Sequence, residues 1–118
     1  MSTPPDPSVT DGLAPGPLSI DSRREGDAVL IVLQGELDLA SAPELERELR
    51  EAEGTTPTRV TIDLSGLGFM DSTGLQSLLR ARERAGSSRY QLTLRKGPHQ
   101  VQRVFELTRT VDAFSFEN

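Results

Sequence analysis

Asp71, Ser72 and Thr73, three short oxygen-bearing side chains, stand directly ahead of Leu75, Leu78 and Leu79, which recur at helical spacing. Each of the three can accept a hydrogen bond from a free backbone N–H at a helix start, and Thr73 and Gln76 lie at capping-box spacing. A helix's first turn also holds unpaired N–H groups and the positive end of its dipole. Hydroxyls placed there sit where a phosphate is favoured, although capping alone would also account for them. The Ser72 hydroxyl has no identifiable base, so intrinsic catalysis has no support. His99 is the sole histidine and belongs to no serine-plus-acid arrangement, so it reads as a surface residue of a helix. Gly66 and Gly68 lack the further glycine of a dinucleotide fingerprint, and no lysine completes a phosphate-binding loop. Neither a cofactor site nor a metal-ligand cluster is expected.

The hydroxyls must be carried by a strand, a loop and a helix. From Val60 the chain alternates β-branched and apolar residues with polar ones, and two glycines then break the pattern. The helix that follows runs to about Ala85, where Gly86 closes it. Upstream, residues 18–23 and 28–33 read as strands joined by the turn Glu25-Gly26-Asp27, an antiparallel hairpin. Residues 34–39 then lead out of the sheet. Ser41, Pro43 and Glu44 start a helix by a capping box with proline in its first turn, and Leu45, Leu49 and Ala52 face the core. Glu46 and Arg50 can pair on its outside, and Gly54 stops it. Residues 90–94 form a fourth strand, Gly97-Pro98 opens a third helix carrying Val101, Val104 and Phe105 inward with Leu107 a further candidate, and residues 111–116 alternate as a last strand. The order β-β-α-β-α-β-α-β implies an α/β domain, with a mostly parallel sheet, an N-terminal antiparallel hairpin and three helices.

At 118 residues the chain suits one domain, residues 18–118, preceded by a proline-rich tail over residues 1–17 that is expected to be disordered. It has no cysteine, which removes disulfides and thiolate metal sites. The longest apolar run, residues 28–33, is too short to span a membrane, and the tail lacks an apolar secretory core, so a cytoplasmic protein is expected. A net charge of −5 argues against nucleic acid as a partner. The charge is uneven: residues 1–58 carry 12 acids and 4 bases, residues 59–118 carry 6 acids and 9 bases. A basic margin including Arg80, Arg84 and Arg95 has only Tyr90 interleaved and lacks the aromatic platform of a single-strand binder.

The segment Phe69-Met70-Asp71-Ser72-Thr73-Gly74-Leu75 resembles the phosphorylation-site signature of STAS domains that act as anti-sigma factor antagonists. The element order over residues 18–116 resembles the STAS fold, and Gly35-Glu36-Leu37-Asp38 is similar to the turn that follows the second strand in that family. The resemblance implies that Ser72 is phosphorylated by a partner anti-sigma factor that is itself a serine kinase, with Thr73 as a second position. It further implies that the unmodified form binds this partner and frees the sigma factor, and that a separate PP2C-type phosphatase reverses the modification. Asp38, Asp71, Ser72 and Thr73 form the implied partner surface. Met70 and Phe69 end a buried strand, where such residues are mostly core, but one of them could rise from the loop as an apolar partner contact, and Met70 is placed in the partner-binding set. Asp38 has a competing reading as the residue that fixes its own turn, and Asp71 as a helix cap. Two departures stand out: many relatives continue into a fourth C-terminal helix, and the tail before Leu18 is longer than usual. Dimerisation could cover the sheet face near the C-terminus. The alternatives are a non-switching scaffold or transporter-associated STAS subunit, in which Ser72 merely caps, and a nucleotide-sensing STAS domain using the helix end as an anion site.

Overall fold

The segment Ala28–Leu37 buries Val29, Ile31 and Leu33 in alternation, and the helices between strands fix which way such residues point. The structure is a computed structural model and describes residues 17–117, so the expected tail lies outside the described residues apart from Pro17. The elements are β1 (Ser19–Glu25), β2 (Ala28–Leu37), α1 (Ala42–Glu53), β3 (Arg59–Met70), α2 (Ser72–Ser88), β4 (Gln91–Arg95), α3 (His99–Leu107), a 3-10 turn (Val111–Ala113) and β5 (Ser115–Glu117). They form one five-stranded sheet in the order β1-β2-β3-β4-β5. β1 pairs antiparallel with β2 and all other pairs are parallel. This is the expected α/β architecture with its opening hairpin and, among the described residues, three helices.

Because the strand order never reverses, right-handed crossovers put α1, α2 and α3 on the same face of the sheet. Register confirms which residues that face carries: Val29 stands opposite Val60, Ile31 opposite Ile62, and Ile62 opposite Leu94. These side chains are buried with Leu45 and Leu49 of α1, Leu78 of α2 and Val101 and Phe105 of α3, in a single core. Each such leucine contributes about 1.5–3 kcal/mol by leaving water. Phe105 meets Phe114 and Phe116 edge-on, with centroids 5.5 and 5.2 Å away, which closes the core beside β5. The opposite face has no helix over it among the described residues. Its centre is Leu30, Val32, Thr61 and Thr93, and at its side Arg95 reaches Asp63 at 3.7 Å and Glu117 at 3.0 Å.

Several local expectations are revised. Residues 34–37 stay in the sheet, and β3 runs through Gly66 and Gly68 to Met70. The pairing of β2 with β3 survives because β3 bulges twice, between the partners of Val32 and Gln34 and again between those of Gly35 and Glu36. Gly66 permits this: a Cβ there would stand 2.7 Å from the Leu33 carbonyl oxygen. α2 passes through Gly86 and ends at Ser88, the left-handed closing conformation being taken by Arg89 (φ 64°). The expected last strand is split, since Val111–Ala113 coils into a 3-10 turn and only Ser115–Glu117 pairs with β4. Glu46 does not pair with Arg50; it faces Arg80 and Arg84 across the α1–α2 seam. Leu107, a candidate inward residue, is 71% exposed, because two residues after buried Phe105 a helix has turned to its far side.

Candidate functional site

Two parallel strands that end side by side bring their following residues together, and here Leu37 at the end of β2 is the register partner of Met70 at the end of β3. Asp38 and Asp71 therefore leave the sheet as neighbours, at the carboxyl edge where open α/β sheets keep their sites. The Asp71 N–H donates to the Leu37 carbonyl at 3.2 Å, fastening the start of α2 to the end of β2. The Asp71 side chain accepts from the Gly74 N–H at 3.0 Å, so it is the N-cap of α2. Thr73 consequently lies inside the first turn, and the capping-box reading of Thr73 and Gln76 does not apply. Gly74 lets the helix start press on β2: a Cβ there would lie 2.7 Å from Leu37 Cγ and 2.8 Å from the Leu37 oxygen.

With the cap supplied by Asp71, the Ser72 side chain is left exposed at the first residue of α2 and Thr73 half-buried at the second. The Ser72 hydroxyl makes no hydrogen bond among the described residues. Asp38 is in a different situation. It is 7% exposed, and its Oδ1 accepts from the N–H groups of Ala40 and Ser41, each at 3.0 Å. Ser41 Oγ in turn accepts from the Asp38 N–H at 2.9 Å and lies 2.7 Å from the Glu36 oxygen. The Ser41 side chain thus belongs to this turn, and α1 begins without a side-chain cap. Asp38 holds the loop in shape.

The double bulge of β3 decides what else the edge displays. Inward residues appear at Leu64, Leu67 and Met70, three apart instead of two, which turns Met70 into the core at 3% exposure and Phe69 outward at 42%. Met70 is therefore not available at the surface, and Phe69 is the residue of the pair that is. Across from it stands Leu39, 73% exposed, a residue that sequence reasoning passed over as part of the exit segment. Its signal was legible: an apolar side chain inside a short polar turn has no core to reach. Asp38, Leu39, Ala40, Phe69 and Asp71 line a cleft of about 450 Å³ beside Ser72. A second, larger groove of about 720 Å³ begins at Leu39 and Thr73 and continues along α1.

Behind the site, α1 and α2 are joined by a polar seam. Arg80 Nε and Nη2 donate to Glu46 at 2.8 and 2.5 Å, Arg84 Nε donates to Glu53 at 3.0 Å, and the Tyr90 hydroxyl donates to Glu53 at 2.7 Å. Burial works against the charged form of Glu46, but the Arg80 hydrogen bond and the charges of Arg80 and Arg84 outweigh it and hold the carboxyl below its usual range. Burial and the Glu53 carboxylate together push the Tyr90 hydroxyl up, so it remains a donor. His99 is exposed at the first residue of α3. No group of acidic or histidine side chains that could hold a metal occurs among the described residues, and none of their helices is long and apolar enough to cross a membrane.

A mostly parallel sheet with the three described helices on one face, an N-terminal hairpin, and a capped helix start at the carboxyl edge define a STAS-type domain. The chain belongs to the STAS domain family: the family model described as "Mlab, STAS domain" matches residues 20–112. Among similar proteins, the anti-sigma-F factor antagonist RsfB of Mycobacterium tuberculosis is 32% identical over 75 residues, 64% of this chain and 62% of that protein. The match thus spans a little under two thirds of that relative's length. The anti-sigma-B factor antagonist of Listeria monocytogenes is 28% identical over 95 residues, 80% of this chain and 83% of that protein. The crystal structure of an anti-sigma factor antagonist from Mycobacterium paratuberculosis superposes with a TM-score of 0.76 at 23% identity, covering 84% of each chain, which shows a shared fold.

Proposed function

We infer that this protein is an anti-sigma factor antagonist, a binding module and not an enzyme, whose unmodified form captures an anti-sigma factor and whose phosphorylation at Ser72 ends that capture. The observation that carries this reading is the exposed Ser72 hydroxyl, uncommitted among the described residues because Asp71 performs the capping, beside outward-facing Leu39 and Phe69. A serine needed only as a cap would have its oxygen on a backbone N–H, so the reading of Ser72 as a mere cap loses its ground.

Phosphorylation adds about −1.5 to −2 charges, and the first turn of α2 tolerates them through its free N–H groups and dipole. The fold is therefore expected to stand. The docking face is expected to fail, since a dianion arrives next to Asp71 and the apolar cleft. A 10- to 1000-fold loss of affinity needs only about 1.4 to 4 kcal/mol. The partner kinase would transfer the phosphoryl group, and a PP2C-type phosphatase would remove it. Asp38 would contribute by holding Leu39 in place, and Asp71 by holding the helix start.

The test is incubation with ATP and the cognate anti-sigma kinase, followed by peptide mass mapping and pull-down. Label on Ser72, capture by wild type, and loss of capture in Ser72→Glu with fold retained are the expected results. Unlabelled Ser72, or Ser72→Glu binding as wild type does, would overturn the reading.

A further inference from the structure

The groove that starts at Leu39 and Thr73 runs along α1 past Ala42 and Pro43 to Arg47 and Arg50. Its length from Ala42 to Arg50 is about 12 Å at the rise of an α-helix. Its near end is apolar, dominated by the 73% exposed Leu39. Its far end is charged, and those charges are not alike in what they have to bind. Arg80 and Glu46, both on the lining, satisfy each other. Arg47 and Arg50 are exposed and have no carboxylate within ion-pair distance among the described residues. Against these two cations the groove offers one further acid, Glu51. A locally cationic groove on a chain of net charge −5 is a contrast that the rest of the molecule does not dictate.

Resting on the function inferred above, we propose that this groove is a second docking site on the same partner and receives a short acidic segment with an apolar face. The apolar side chains of that segment cover Leu39 and Pro43, and its carboxylates meet Arg47 and Arg50. Charge complementarity selects this occupant. A nucleic acid would need a longer cationic track than two unpaired arginines, and the groove lies open to solvent along its length, unlike the concave sites that enclose small ligands. The proposal also strengthens the switch. Ser72 adjoins the Thr73 end of the groove, so a phosphate placed on it confronts an acidic segment with like charge and would drive the segment out.

The experiment measures calorimetric affinity for the anti-sigma factor recovered by the Ser72-dependent pull-down, at low and at high salt. Four proteins are compared: wild type, Arg47→Glu/Arg50→Glu, the milder Arg47→Gln/Arg50→Gln, and Ser72→Glu. Both arginines are exposed on a helix, so the double variants are expected to keep the wild-type circular dichroism and melting temperature; should the charge reversal not fold, the Gln pair decides the question. The proposal expects the reversal to bind about tenfold or more weakly at low salt, the Gln pair to fall between it and wild type, and the differences to shrink at high salt. Double variants binding within about twofold of wild type at low salt, while Ser72→Glu fails to bind, would overturn the groove and leave the inferred function intact. Absence of any partner for wild type would remove both.

Discussion

Two parts of α2 treat their polar groups in opposite ways. Along the flank that packs on α1, Arg80 and Arg84 are each matched to a glutamate, and Tyr90 just beyond the helix donates to one of the same carboxylates. At the first turn, Asp71 closes the helix by itself, and the Ser72 hydroxyl beside it stays exposed and uncommitted. Polar groups satisfied within the chain hold elements together; one left exposed beside two outward apolar side chains holds nothing in the fold, which is what the inferred docking role requires. The distinction is open to experiment, because the two parts should respond differently to substitution.

The largest effect is expected where the two parts share a foundation. Gly74→Val puts side-chain atoms where Leu37 Cγ and the Leu37 oxygen already stand, at 2.7 and 2.8 Å from the first added carbon. Backbone cannot yield as a flexible side chain does, so a loss of about 3 kcal/mol or more is expected in urea unfolding, together with loss of partner binding. A Gly74→Val protein with wild-type stability would mean that α2 is not pressed against β2.

Next comes the seam. Glu53→Ala leaves the 6% exposed Tyr90 without its acceptor, and Arg84, whose Nη2 is already buried without a partner, loses its closest carboxylate. A cost of about 2 kcal/mol is expected, with partner affinity unchanged once the protein is folded. The site's own cap should cost less: Asp71→Ala about 1 kcal/mol, while Asp71→Asn keeps an oxygen for the Gly74 N–H and stays within about 0.5 kcal/mol. If Asp71→Asn folds normally yet fails to bind, the charge itself belongs to the docking face.

How much of this was legible follows the range of the interactions. The hairpin, the three helices and the parallel pairing came from periodicity and from turn residues, which are local signals. The cluster Asp71-Ser72-Thr73 was legible as a helix start for the same reason. Which of its oxygens would cap was not, since all three types cap readily and the choice depends on how Leu37 holds the Asp71 backbone. The bulges of β3 were illegible because Gly66 is needed only when a second strand lies against it, and they turned Met70, placed in the partner-binding set, into the core. Glu46 found its partner 34 residues away in Arg80, beyond any helical-spacing rule. The turn Asp38 to Ser41 is short in sequence, yet Ser41 serves it and not α1, because the Glu36 oxygen at the end of a lengthened β2 lies 2.7 Å away.

The smallest expected effect separates the seam from the first turn by pH. The folded-state pKa of Glu46 lies below its ordinary value of 4.5, held there by Arg80 and Arg84 against the opposing effect of burial. A carboxyl of this kind binds protons more tightly when unfolded, so it stabilises the fold above the unfolded pKa, and that contribution is lost as pH falls through the folded one. Urea midpoints measured from neutral pH down through the carboxylate range should therefore drop more steeply for wild type than for Glu46→Gln, which keeps a hydrogen-bond acceptor for Arg80 but does not titrate. At neutral pH the variant should be the less stable of the two, by roughly 1 kcal/mol or less, because Arg80 is half-exposed and water screens the pair. Equal slopes for the two proteins would mean that Glu46 titrates as it does in the unfolded chain, and the seam would then be a packed surface contact. Ser72→Ala should leave both the slope and the midpoint unchanged, since an exposed, uncommitted hydroxyl holds nothing in place.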